Sequence, residues 1–437
     1  MYHIPFHRRI IPWIFVISFL IITPAVIFYT SGYRWNQKKG IIEKNGTFII
    51  DTTPSGAKIF IDNKDINKTT PFTIQDMSPG NHNIKLELKN YYSWSKNLNS
   101  IPEKVTFVNN ITLWPKTKTE LLIEDRNIID FYTPTKSNFI ILNKKESKNK
   151  SILIKYNLEN NQKESTFITN FLPKSQNNLW NSTQNNSFIT FDNQQKFLLE
   201  SNPLKLFSLP DGEYHWEDNS LAADLTGSKL FISKNGIVQK EKQSPNIISS
   251  YQKLTIQNFS QQNKIALLLN KNAKTGFVLP HKNWKFHYLD SKNVILHYNN
   301  QWLWLDLEHK PYKYSLAQGE KIHCIQNKKT TCLIQNNNEI FLWHKKSIPE
   351  LIIRNSQPIT SSGWINNGTD IFLTTKKEVY IYNTDQRDQY LKTKIANFDN
   401  IYKVLFNNYN LYILGDKNNK HGIWKLPLRQ DTSIILL

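Results

Sequence analysis

The chain has 437 residues, 55 Lys and Arg against 35 Asp and Glu, and a formal net charge of +20. Its mean hydropathy of −0.51 describes a soluble body, long enough for two or three domains, with one greasy end. The charge does not mark a nucleic-acid binder: only seven basic residues are Arg (8, 9, 34, 126, 354, 387 and 429) and the Lys are scattered, whereas planar, bidentate reading of phosphates and base edges is done by Arg. A Lys-, Asn- and Ile-rich chain is what an AT-rich genome encodes, and the excess charge leaves at most a loose attraction to an anionic surface such as wall polymer or lipid headgroups.

Residues 1–9 form a short start carrying Arg8 and Arg9, and Ile10 to Thr30 then run 21 residues without a charge. As a helix this stretch spans about 30 Å, the thickness of a bilayer's hydrocarbon core. Trp13 and Tyr29 sit near its ends, where interfacial aromatics belong. Pro12 falls in the expected first turn, and Pro24 is internal and kinks the helix, which membrane helices tolerate. Arg34, Lys38 and Lys39 follow, so the charge bias is weak; a cytoplasmic 1–9, a transmembrane 10–30 and a body outside remain the expected topology. A cleaved signal peptide is the competing reading. The apolar stretch is long for one, no good small-x-small site follows, and no Cys follows to accept lipid. Residues 31–46 read as a linker.

Phe48–Ile50 and Ile59–Ile61 flank the turn Pro54-Ser55-Gly56-Ala57. Thr70-Pro71 follows, then the turn Pro79-Gly80, then Ile84, Leu86 and Leu88 alternating with polar residues, then Tyr91-Tyr92. Gly56 and Gly80 suit positive φ and the prolines fix turn entries, so 47–115 reads as a small β-sandwich. The order and spacing of these parts resemble the PEGA domain family of bacterial and archaeal surface proteins, with Ser55 in place of the family's Glu. The resemblance implies an extracellular spacer or binding module beside a membrane, with no catalytic residues.

From 119 to 437 no helical period persists, and short apolar runs recur between Asn-rich turns. Three segments repeat an aromatic, a polar turn and a very apolar strand: Trp180–Phe191, Asn258–Leu268 and Trp364–Leu373. Weaker copies lie near 131–142, 216–232, 286–296, 322–334 and 404–414. The spacing of roughly 40 residues predicts four-stranded blades. The copies resemble the Trp-Ser-Pro-Asp-Gly repeat of TolB-like and WD40-like propellers, with the Pro-Asp-Gly core replaced by Asn-, Gln- and Ser-containing turns. The expectation is an all-β chain: a transmembrane helix, a PEGA-like sandwich and a propeller of six to eight blades, closed by a strand from 422–426 or from just after Pro115.

The two cysteines, Cys324 and Cys332, flank a turn-like stretch centred on Lys328. A hairpin there sets them opposite each other, as a cross-strand disulfide or as two buried thiols. No His-Glu-x-x-His, Gly-x-Ser-x-Gly or phosphate-binding Gly-rich loop occurs. Asp416–Lys420 has Lys420 where a calcium loop needs oxygen, and it reads as a turn, as does Asp211-Gly212-Glu213. The several Asn-x-Ser/Thr triplets are near chance in so Asn-rich a chain. The expected role is a membrane-anchored, non-enzymatic surface protein without cofactor or metal, whose propeller binds protein, glycan or envelope polymer. A propeller hydrolase or lyase acting on envelope polysaccharide and a structural envelope component are the alternatives, and the oligomeric state is open.

Overall fold

The computed structural model describes residues 6–429 except 37–39, 134–136, 149, 170–174, 181–185, 192–195, 211–213, 218–219, 226, 233–237, 244–246, 252–253, 260–263, 269–275, 281–283, 290–291, 309–312, 327–329, 346 and 366–367. The turn at Asp211-Gly212-Glu213, the turn after Trp180 and the hairpin tip at Lys328 fall outside the described residues. The chain divides into two units: Met1–Lys116 with Asn383–Thr393, and Thr117–Tyr382 with Lys394–Leu437. The sequence boundaries drew the second body as an unbroken 119–437, so one internal segment goes instead with the first unit.

The first unit opens with helix α1 (Phe6–Thr30). Its span Ile11–Thr30 is long and apolar enough to cross a membrane, at a hydropathy of 2.4, and none of it is buried. Because the helix begins at Phe6, Pro12 lies beyond the first turn, not within it; the residues before Ile10 continue the helix, and both Pro12 and Pro24 are internal. The hydroxyls of Ser18 and Thr30 donate to carbonyls of the preceding turn, at 2.9 Å to Phe15 O and 2.9 Å to Val26 O, so these polar groups are satisfied within the helix. The stretch expected as a linker carries a hairpin of β1 (Tyr33–Asn36) and β2 (Ile41–Lys44).

The sandwich follows as β3 (Gly46–Thr53), β4 (Lys58–Ile61), β5 (Lys64–Thr69), β6 (Phe72–Met77), β7 (Gly80–Glu87), β8 (Trp94–Ser100) and β9 (Val105–Thr112). One sheet has the order β6-β3-β9 and the other β5-β4-β7-β8. The alternation of apolar residues sends Phe48, Ile50, Ile59, Ile84, Leu86, Trp94 and Leu98 into one shared core.

The second unit is a ring of eight four-stranded antiparallel sheets. Named from the inside out, strands A to D of blades 1–7 come in chain order from 128–169, 175–209, 214–242, 247–279, 285–318, 321–354 and 361–397. Blade 8 takes strands A to C from Asn400–Asn407, Asn410–Lys417 and Lys420–Pro427, and its outer strand D is Glu120–Glu124. Both segments proposed for closure therefore meet in one blade: Leu121 pairs with Trp424 and Ile123 with Ile423. Apolar clusters between neighbouring blades hold the ring, including Ile128, Phe131 and Leu142 of blade 1 against Tyr412, Leu414 and Ile423 of blade 8. Strands B and C are mostly buried, as in Asp370–Thr374, whereas strands D alternate with solvent, as in Lys313–Gln318.

Most repeat copies span strands A and B of a blade. Trp180 and Trp364 occupy equivalent places, each at the end of strand A and paired with the residue seven positions on, Ser187 and Ile371. The copy Asn258–Leu268 is out of phase: it covers strands B and C of blade 4. Strand A there is Ile247–Tyr251, which ends on Tyr251 where blades 2 and 7 carry Trp, while the following B–C hairpin repeats the same aromatic, polar and apolar order.

The closure is testable at Gly422, where a Cβ would overlap the carbonyl oxygen of Ile123 on strand D. Gly422→Ala should lower the stability of the ring by about 2 kcal/mol in chemical denaturation, because the outer strand must move. An unchanged denaturation midpoint would contradict this strand pairing.

Candidate functional site

The PEGA-like motif residues knit two turns together. Gly56, at φ 88°, donates its N–H to Thr70 O at 2.8 Å, and Thr70 N–H returns a bond to Ala57 O at 2.9 Å. The Thr70 hydroxyl accepts from Ala57 N–H at 3.0 Å and shares a 2.6 Å bond with Thr52. Thr70 and Ala57 are buried. Pro54 and Pro71 both follow cis peptide bonds, Ser55 stands in the turn, and Pro79 leads into Gly80 at φ 124°. This arrangement is a turn scaffold whose polar groups face one another. At the helix end, the Arg34 guanidinium lies 3.9 Å from the centre of the Tyr29 ring and donates to Tyr29 O at 2.6 Å, a C-terminal carbonyl that also accepts from Gly32 N–H at 3.2 Å.

The inner wall of the ring carries the second set of candidates. Strand A of five blades has a bulge, leaving Ile129, Gln176, Ile248, His287 and Tyr402 out of register with strand B. A bulge re-aims the extra side chain, and such positions gather next to functional surfaces. Tyr402 donates its hydroxyl to Asp416 at 2.6 Å; His421 meets the other oxygen of that carboxylate at 2.6 Å and Ile128 O at 3.0 Å. Burial alone would raise Asp416, but hydrogen bonds from Tyr402, His421 and Asn400 hold its carboxyl below the usual range. Lys403 pairs with Asp130 at 2.7 Å and lies 4.8 Å from the centre of the Tyr132 ring. These bonds tie blade 8 to blade 1.

On the facing sides of blades 5 and 6, His287 stacks edge-on to Trp302 at 4.8 Å and to His297 at 5.8 Å. His323 occupies strand A of blade 6, and its carbonyl accepts from the indole N–H of Trp364 in blade 7 at 2.8 Å. The side chains of His287 and His323 keep access to water on the inner wall, with protein packed closely around them. Burial, with His297 and His323 nearby, lowers His287 to about 3; burial and Lys321 lower His323 to about 4. Both are neutral at pH 7.

A third surface lies on the outside of the same two blades. A groove of about 600 Å³ runs between Leu316, Ala317 and Gln318 of blade 5 and Asn336, Phe341 and Pro349 of blade 6. Exposed apolar residues surround it: Leu316 at 50 %, Tyr314 and Leu351, and Ile348 at 88 %. Val278 on strand D of blade 4 is also exposed, and its neighbour Phe277 packs edge-on to Tyr314 at 5.5 Å.

Cys324 and Cys332 are register partners on strands A and B of blade 6, joined through their sulfurs with Cα atoms 4.0 Å apart. Asp416–Lys420 forms a two-residue hairpin turn with Asn418 and Asn419 at φ 53° and 62°, the geometry of a type I′ turn. Among the described residues no group of three or more His, Cys, Asp or Glu is placed to hold a metal ion. Sequence reading missed the bulged inner-wall residues, because a bulge leaves no mark in hydrophobic alternation.

The inner-wall histidines make stability depend on pH. A His whose folded pKa lies below its unfolded value, here about 3 and about 4 against 6.5, contributes stability fully present above 6.5 and lost as pH falls toward the folded pKa. The ring should therefore lose urea resistance between pH 6.5 and 4, and the double variant His287→Phe, His323→Phe should flatten that slope. An identical slope in the variant would contradict the enclosure of these rings.

Residues 45–115 match the family model described as the PEGA domain. A comparison with curated proteins returns no match. Among solved structures, the C-terminal WD40 domain of Sif2 is similar at 12 % identity and TM-score 0.44, over 71 % of this chain and 98 % of that one. The RRP9 WD40 repeats are similar at 10 % and 0.45, over 71 % and 97 %, and the WD40 domain of SCAP from fission yeast at 10 % and 0.39, over 72 % and 98 %. The segment 45–115 is thus a PEGA domain, carried on a chain that continues as an eight-bladed β-propeller.

Proposed function

We propose that this chain is a single-pass membrane protein whose PEGA domain and propeller lie outside the membrane, and that the propeller binds a protein partner along the outer strands of blades 5 and 6. The reading is carried by the apolar surface there: Tyr314, Leu316, Ile348 and Leu351 are exposed around a groove bordered by Asn and Gln. Apolar surface gathered on one side and rimmed by amides is what a protein interface offers. Its aliphatic character favours a protein over a glycan, which stacks on flat aromatic faces. The span Ile11–Thr30 and the PEGA domain after it support the location.

A photo-crosslinking side chain placed at Leu316 or Ile348 in intact cells should yield one discrete adduct that a side chain at the exposed Lys163 of blade 1 does not. Leu316→Lys should cut the Ile348 adduct by tenfold or more with the melting temperature unchanged. Equal labelling at all three sites would refute the binding face.

Location is tested separately. Protease added outside intact cells should degrade the body, the chain should stay with membranes through alkaline and high-salt washes, and Cys324 and Cys332 should resist alkylation until reduced. Protection from protease until lysis, together with freely alkylated thiols, would place the body in a reducing compartment.

A further inference from the structure

Strand β8 reads Trp94, Lys96, Leu98, Ser100 along its core-facing side, so a lysine stands where the pattern calls for an apolar residue. Lys96 is 2 % exposed, the one charged side chain among the largest fully buried ones described. A buried ammonium is costly unless its hydrogen bonds are met. The partners come from the segment Asn383–Thr393, which belongs to the same unit. Lys96 Nζ donates to Asp385 O at 2.6 Å and Arg387 O at 2.8 Å and stands 3.9 Å from the Asp385 carboxylate.

The segment is shaped for this. Asp385 accepts from the Arg387 backbone N–H at 3.0 Å and from its guanidinium at 2.9 to 3.2 Å, closing a tight turn that points both carbonyls the same way. Asp388, at φ 62°, accepts from the Asn97 N–H of β8 at 2.7 Å. The Arg387 guanidinium also donates to Phe107 O of β9 at 2.6 Å, and Leu391 packs on the sandwich core. Strand β8 is one outer strand of its sheet and β9 one outer strand of the other, so one turn bonds to an open edge of each.

We infer that the β8–β9 side of the PEGA domain is a peptide-receptor site, selective for a short acidic turn of the form Asp-x-Arg-Asp, and that this chain fills it with its own residues 384–391. Lys96 reads the two carbonyls, the Asn97 amide reads the second Asp, and the Phe107 carbonyl reads the Arg. The site is independent of the apolar groove proposed above for an external partner, so either can fail without the other.

The test uses the full chain in detergent, with 384–391 replaced by a Gly-Ser stretch of equal length. Hydrogen exchange in β8 and β9 should rise tenfold or more, with the blades unchanged. A synthetic peptide of residues 384–391, added at millimolar concentration, should restore protection to within threefold of the intact chain. Adding Lys96→Met to the replaced chain should also recover protection, since no buried charge is left to satisfy, and should abolish the peptide's effect. Should the replacement disrupt folding, Arg387→Ala and Asp388→Ala in the intact chain give the same readout, each raising exchange in β9 or β8 respectively. Unchanged exchange in β8 and β9, or a peptide effect that survives Lys96→Met, overturns the assignment.

Discussion

Unpaired strand edges are the constraint on which this molecule turns. A chain built almost wholly of β-structure presents rows of free N–H and C=O groups wherever a sheet ends, and each such row is a template for another chain. The ring removes its seam by drawing Glu120–Glu124 onto Lys420–Pro427, so the two ends of the propeller sequence share one blade. The PEGA domain has two outer strands, β8 and β9, that meet a turn from about 290 residues further on. In both places a remote segment supplies hydrogen bonds that local sequence cannot.

Burial between blades supplies the stabilisation that makes such closure worthwhile. Each contact sets side chains of adjoining sheets into a shared cluster, as Trp304 meets Trp343 edge-on at 5.2 Å between blades 5 and 6. The positive charge has little part in this. Most ion pairs, such as Lys420 with Glu124 and Arg354 with Glu339, are exposed and contribute little. Lys96 and the Lys345–Asp306 pair, with Asp306 1 % exposed, are the kind that matters, because a buried charge left without its partner is costly.

Much of the fold was legible because period-2 alternation and turn residues are local. The PEGA turns, the apolar span and seven of the eight repeat copies read in phase from residues close together in sequence. Blade 4 slipped by one strand because aromatic, polar and apolar order recurs at each hairpin and does not say which hairpin it marks. The inner-wall bulges at His287 and Tyr402 were invisible, since an inserted residue looks like any other in a strand. Lys96 was not singled out: it stands out as a charge between Trp94 and Leu98 only once the core side of β8 is known, and nothing near it in sequence names Asp385 or Arg387. The groove between blades 5 and 6 depends on how two sheets abut, which alternation within either does not encode.

The claim that remote segments seal the edges is tested most directly by native-state hydrogen exchange on the unmodified chain. The amides of Glu120–Glu124 that bond to Lys420–Pro427 should be protected far above an unstructured peptide, as those of Leu411–Leu414 in the middle of the same blade are, because these bonds open only when the closing strand leaves the blade. Exchange in Glu120–Glu124 as fast as in an unstructured peptide, with Leu411–Leu414 still protected, would contradict the account.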